Sequence, residues 1–203
     1  MTKPTSPALI LASASTIRAE MLRNAGVAFK AIQARTDEDS VKAAMLNEGA
    51  KSRDIADALA ELKARRVSMM HPIARVIGAD QVLEFQGEIL SKPTSMTEAR
   101  QHLVALRGQK HSLISAAVIY HNNRPEWRHV AKTDLWMRDF SDAYLDHYLT
   151  RLGEEALSCV GSYKLEAEGV RLFSRIEGDY FCVLGMPLVQ ILGHLTNIGQ
   201  LEK

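Results

Sequence analysis

The sequence predicts an α/β protein built on a mixed sheet with flanking helices. First, apolar runs of strand length alternate along the 203 residues with segments whose apolar residues recur at helical spacing. Second, two strand-like segments, 111–120 and 127–140, flank the polar stretch "HNNRPE", so a hairpin is expected and the sheet is mixed instead of purely parallel. Third, the composition is 46% hydrophobic and 24% charged, which excludes disordered and collagen-like chains. A chain of this length buries one good core, and residues 1–203 are read as a single domain.

"ALILA" (8–12) suits a buried strand, and Ile17, Met21, Leu22 and Ala25 then mark a helix face that Gly26 closes. "VAFKAI" (27–32) predicts a second strand, followed by the acidic turn "TDEDS". Ile55, Ala58, Leu59, Leu62 and Val67 recur at helical spacing, which puts Lys63 on a helix, towards its polar flank or a cleft. "ARVIGADQVLEF" is β-rich but interrupted at Gly78 and Asp80, which places Asp80 at a strand end, and "QGEIL" gives a turn and a returning strand before Lys92. Ser95 and Glu98 have capping-box spacing ahead of a helix that ends at Gly108. After the hairpin, Ser141 caps a helix through Leu152, "VRLFSRI" alternates as a strand, and Pro187 opens the last helix.

Several function classes drop out early. The formal net charge is +1 and basic residues do not cluster, so nothing points to nucleic acid. No apolar run approaches the length of a membrane span, and the N-terminal stretch lacks an apolar export segment, so a cytoplasmic protein without a membrane partner is expected. Cys159 and Cys182 form no C-x-x-C pair and read as two buried thiols. The histidines lack zinc-hydrolase spacing, and neither a Walker A loop, a G-x-S-x-G elbow nor G-x-G-x-x-G is present.

What remains is a set of residues at predicted loop positions. Ser13, Ala14, Ser15 and Thr16 lie where the first strand hands over to a helix, and Arg18 stands in the first turn. Such a junction offers backbone N–H groups, hydroxyls and a charge to a phosphate, although hydroxyls there are also ordinary helix caps. Asp80 would be costly to bury alone, so it reads either as a turn cap or as a metal-binding or catalytic carboxylate. Glu38, between Asp37 and Asp39, reads as a solvated loop or as a second carboxylate beside Asp80 on a divalent metal. With Lys63 and Lys92 these residues form the mixture of cations, hydroxyls and acids that phosphoanhydride chemistry requires.

Taken in order, "LILASAS…R", "DED", "ALAELKA", "VIGADQV", "G…LSKP", "VGSY" and "VLGMPL" resemble the Maf family of nucleoside triphosphate pyrophosphatases over nearly the whole chain. The resemblance implies a twisted mixed sheet in an inosine triphosphatase-like fold, with two lobes around a central nucleotide-binding cleft, commonly dimeric. It implies hydrolysis of a nucleotide between the α and β phosphates with a divalent cation, Mg2+ or Mn2+. Asp80 would be the catalytic carboxylate, Glu38 would assist it with the metal, and Arg18, Lys63 and Lys92 would hold the phosphate chain over Ser13 and Ser15.

The chain departs from the commonest family pattern, S-x-S-P-R-R, with Thr16 and Ile17 in place of Pro and the first Arg. Gln81 and Glu166 stand where the branch acting on dTTP and UTP has Thr and Gln. In these features the chain is similar to the branch described as 7-methyl-GTP pyrophosphatase, and an acidic Glu166 would complement a cationic methylated guanine. The implied role is cleansing of the nucleotide pool. The alternative is a nucleotide-binding regulator of cell division or septum formation with little catalysis.

Overall fold

The structure, a computed structural model, describes residues 6–203. Met1–Thr5, the beginning of the stretch read above for an export signal, lie outside the described residues. The chain divides into two compact units. Among the described residues, unit 1 comprises 6–81, Ser115–Ala131 and Gly185–Lys203, and unit 2 comprises Val82–Ile114 and Lys132–Leu184.

The described strands form a mixed sheet in the order β2-β1-β3-β5-β6-β7, with β4 paired to β3 off this path. In unit 1, β1 (Leu9–Leu11) is buried at all three positions and runs parallel to β2 (Lys30–Ala31) on one side and to β3 (Arg75–Phe85) on the other. An apolar run with no polar alternation is what a strand covered on both faces requires. Helix α1 (Thr16–Asn24) turns Ala19, Met21 and Leu22 inward. Helix α3 (Ser52–Ser68) buries two adjacent ridges, Ile55–Leu59–Lys63–Val67 and Ala56–Ala60–Ala64–Ser68, each at a spacing of four. Helix α7 (Leu188–Asn197), entered through Pro187, contributes Leu188, Ile191 and Leu195.

In unit 2, β4 (Glu88–Leu90) returns antiparallel to β3 after a turn with Gln86 and Gly87 both at positive φ. Helix α4 (Met96–Leu106), helix α5 (Asp142–Leu152) and β7 (Phe173–Glu177) enclose a core that includes Leu83, Leu103, Leu106, Leu135, Leu145, Tyr148 and Leu172. Ser95 and Ser141 cap α4 and α5 as predicted, accepting from the backbone N–H of Glu98 and Tyr144. The Glu98 carboxylate reaches back to Thr94 N–H at 2.7 Å, one residue beyond the expected capping-box partner. A one-turn helix α6 (Tyr180–Val183), held by Asp179, follows β7.

β5 (Lys110–His121) and β6 (Arg124–Met137) form the predicted hairpin. Its turn is tighter than "HNNRPE" suggested: Asn122 and Asn123, at φ 52° and 58°, close it as a primed two-residue turn, and Pro125 lies within exposed β6.

Three expectations are corrected. The second strand spans only Lys30–Ala31. The acidic turn is the start of a helix, α2 (Glu38–Asn47), with Asp37 as its cap accepting from Ser40 N–H at 3.1 Å. Most importantly, β3 runs unbroken through Gly78 and Asp80, so Asp80 sits in mid-strand and is neither a strand end nor a turn cap. Gly78 accommodates a helix in close approach there, and Asp80 finds a buried cation, so neither residue has to end the strand.

Candidate active site

Unit 1 gathers most of the predicted site. Ser13, one residue after β1 and Ala12, is buried, and its hydroxyl accepts from Ser15 N–H at 3.1 Å. Ser15 caps α1 and accepts from Arg18 N–H at 3.4 Å. Both hydroxyls do act as local caps, yet each uses only acceptor capacity in doing so and retains an O–H to donate.

Arg18 is anchored through its side chain: Nε donates to the Gly185 carbonyl oxygen at 2.8 Å. Gly185 adopts φ +102°, and a Cβ there would lie 3.2 Å from Arg18 Nη2, so this residue also leaves room for the guanidinium. Burial lowers the Arg18 pKa from its usual value, and attraction to Asp80 and Glu38 opposes that shift. Arg18 therefore lies in the field of both carboxylates.

At the centre stands Lys63. Its ammonium is 2.6 Å from Asp80 Oδ1 and 2.8 Å from Glu38 Oε2. Lys63 and Asp80 are each only 8% exposed, which makes this a buried charge pair with a third, more open partner at the start of α2. Thr36 steadies Glu38, donating its hydroxyl to Oε1 at 3.4 Å. Lys63 thus occupies an apolar ridge of α3, on its buried side and away from the polar flank, whereas Arg66 is exposed. Gln81, the residue after Asp80, donates its side-chain amide to Ser115 Oγ on β5 at 3.0 Å.

The two remaining candidates belong to unit 2. Lys92 follows β4 and is exposed, and Glu166 is exposed in the segment between Tyr163 and Gly169.

Chemically, the arrangement offers two carboxylates held together by one cation, with a second cation nearby and two hydroxyls at a helix entrance. Asp80 and Glu38 are hard oxygen donors of the kind that suit Mg2+ or Mn2+. Among the described residues there is no group of three His, Cys, Asp or Glu side chains able to hold a metal ion. The donor pair therefore fits a cation whose remaining ligands are phosphate oxygens and water, as Mg2+ at nucleotide sites usually has.

Residues 8–198 match the family model described as Maf-like protein. The chain belongs to the Maf family. Among curated proteins, this Maf chain is 56% identical to a nucleoside triphosphate pyrophosphatase of Ruegeria pomeroyi, over 96% of this chain and 98% of that protein. It is 52% identical to one of the same name from Caulobacter vibrioides, over 94% and 96%. It is 45% identical to a 7-methyl-GTP pyrophosphatase of Rhizobium meliloti, over 97% and 98%. Among solved structures, a nucleoside-triphosphatase / dITP/XTP pyrophosphatase from Mycobacterium abscessus has a TM-score of 0.39 and 14% identity, covering 66% of this chain and 75% of that one.

Gly185 and Thr36 were not singled out from the sequence. "VLGMPL" contributed to the family resemblance, but a glycine acting through its carbonyl leaves no side-chain signature. The signal for Lys63 was present, since a lysine four residues from both Leu59 and Val67 interrupts an apolar ridge and calls for a buried partner.

Proposed function

We propose that this Maf protein hydrolyses nucleoside triphosphates to the monophosphate and pyrophosphate, with 7-methyl-GTP as the preferred substrate and cleansing of the nucleotide pool as the role. The observation that carries the reading is the buried Lys63 ammonium holding Asp80 and Glu38 together in the field of Arg18.

In this reading, Ser13 and Ser15 hydroxyls and the N–H groups at the start of α1 receive a phosphate, where the helix dipole favours negative charge. Arg18, oriented by Gly185, and Lys63 counter the phosphate charge, and the resemblance assigns Lys92 to the same chain of phosphates. Asp80 accepts the proton of the attacking water as its oxygen bonds to the α phosphorus. The bond from that phosphorus to the bridging oxygen breaks, and pyrophosphate leaves with the electron pair. Cations already in place stabilise that departing charge without reorganisation. Asp80 and Glu38 would hold a divalent cation, which when bound neutralises phosphate charge and orients water.

The base preference is assigned to Gln81 and Glu166, the latter an acidic group suited to a cationic methylated guanine, while Ile17 takes the place of a further cation. The 45% identity to a relative named 7-methyl-GTP pyrophosphatase supports this preference. The reading also includes a cytoplasmic setting and a homodimer. Two cysteines outside any disulfide, with Cys182 buried, accord with a reducing compartment, and no helix among the described residues is long and apolar enough to cross a membrane. No observation favours the alternative of a cell-division regulator.

The test is pyrophosphate release from a panel containing 7-methyl-GTP, GTP, dTTP and UTP, with Mg2+ or Mn2+. Release is expected to be fastest from 7-methyl-GTP and to stop on chelation with EDTA. Absence of release from every triphosphate overturns the hydrolase, and unchanged release in EDTA overturns the metal.

A further inference from the structure

Gly78 lies two residues before Asp80 on β3. A Cβ at Gly78 would fall 2.2 Å from Ala60 O, 2.6 Å from Ala64 N and 2.9 Å from Ala64 Cβ, all on α3. These distances are far inside the roughly 3.5–4.0 Å at which non-bonded carbon atoms rest. The first two are to helix backbone, which no rotamer change can relieve. At this point α3 therefore rests directly on the β3 backbone, closer than any strand residue with a side chain would allow. Ala60 and Ala64, both fully buried, keep the helix side of the contact equally thin.

Lys63 belongs to the same helical turn as Ala60 and Ala64, and Asp80 to the same stretch of strand as Gly78, so the depth at which α3 beds on β3 sets the separation of their side chains. That separation is 2.6 Å. We propose that Gly78 is a positioning residue, whose missing side chain lets α3 seat Lys63 against Asp80 and Glu38. The proposal rests on the hydrolase reading for its consequence in catalysis, and on geometry alone for the placement of Lys63.

Two measurements separate these levels. The first is acetylation of the Lys63 amine by an N-hydroxysuccinimide ester in the intact protein, followed by peptide mass spectrometry; it needs no activity. In the wild type the buried, paired amine should react slowly. Gly78→Ala, and Ala64→Val, which thickens the contact from the helix side, should each raise the rate at least fivefold. Leu103→Ala, a core truncation in unit 2 with comparable thermal destabilisation, should leave it unchanged. An unchanged rate in both α3-contact variants, or an equal rise in Leu103→Ala, overturns the proposal. If Gly78→Ala does not fold, Ala64→Val carries the comparison.

The second measurement is pyrophosphate release. Gly78→Ala should lower kcat at least tenfold while KM moves less than threefold, and adding it to Lys63→Met should cost less than a further twofold. A full tenfold loss retained in the Lys63→Met background would show that Gly78 does not act through Lys63, and would overturn the proposal. A wild type that releases no pyrophosphate sinks the hydrolase reading alone, leaving the labelling to decide the placement.

Discussion

Lys63 and Asp80 form a buried ion pair, Nζ to Oδ1 at 2.6 Å, between mid-helix α3 and mid-strand β3. Breaking such a pair from one side leaves a charge stranded in a poorly hydrated place, which costs about 3–5 kcal/mol in buried pairs. Lys63→Met should therefore lower stability in urea unfolding by an amount of that order, with Asp80 and Glu38 left to repel each other. Asp80→Asn keeps the shape and should cost less, while reducing pyrophosphate release by roughly a thousandfold, the middle of the range a lost acid–base group removes. An Asp80→Asn protein with ordinary turnover would disprove the role given to Asp80.

Arg18 uses one donor to hold the Gly185 carbonyl and keeps the rest of its fork for other partners. Lysine carries its three donors on one nitrogen and lacks the planar fork that spans the carbonyl on one side and a phosphate on the other. Arg18→Lys should raise KM for the nucleotide and lower kcat/KM by more than about tenfold, about 1.4 kcal/mol, with thermal stability nearly unchanged. Equal kcat/KM in the two proteins would count against a phosphate-binding role.

Glu166 is exposed and is no part of the buried cluster, so its replacement should spare the fold. Glu166→Gln removes the negative charge and keeps the size. The ratio of kcat/KM for 7-methyl-GTP to that for UTP should fall by about tenfold, about 1.4 kcal/mol. A ratio that does not move would remove Glu166 from base selection.

His111 predicts an acid weakness in unit 2. The ring is 2% exposed, its Nε2 lies 2.8 Å from Tyr163 OH, and burial pushes its pKa down to about 4 from 6.5. The unfolded chain then binds a proton more readily than the folded one. Stability is fully present above about pH 6.5 and is lost as pH falls towards 4, by about 3 kcal/mol for a shift of that size. Urea unfolding between pH 7 and 4 should show this slope, and His111→Gln should flatten it. Parallel slopes in the two proteins would assign the acid sensitivity elsewhere.

Local rules were enough wherever an element announces itself by its own residues. Ser95 and Ser141 cap the helices they were expected to cap, and Pro187 leads into α7. Helix α2 escaped because it has no buried residue, so no apolar stripe marks it, and β2 is shorter than its apolar run predicts because only two exposed residues pair with β1. At Gly78 the usual meaning of glycine in a strand, a bulge or a break, pointed the wrong way. Its cause is a helix 14 to 18 residues earlier in sequence, at Ala60 and Ala64, which no local window contains. The candidate site divides similarly: the residue types were legible, but that Lys63 joins Glu38 to Asp80 follows from packing alone.

The Arg18–Gly185 contact joins residues 167 positions apart, and unit 1 is assembled from three separate stretches of chain, the last beginning at Gly185. During synthesis, Arg18, Glu38, Lys63 and Asp80 leave the ribosome early, and everything belonging to unit 2 follows before the carbonyl that orients Arg18. The guanidinium therefore receives its final orientation only after the whole of unit 2 has been made. A nascent or truncated chain ending before Gly185 carries both carboxylates and Lys63 with an unanchored Arg18, so translation itself delays the completion of this charged cluster.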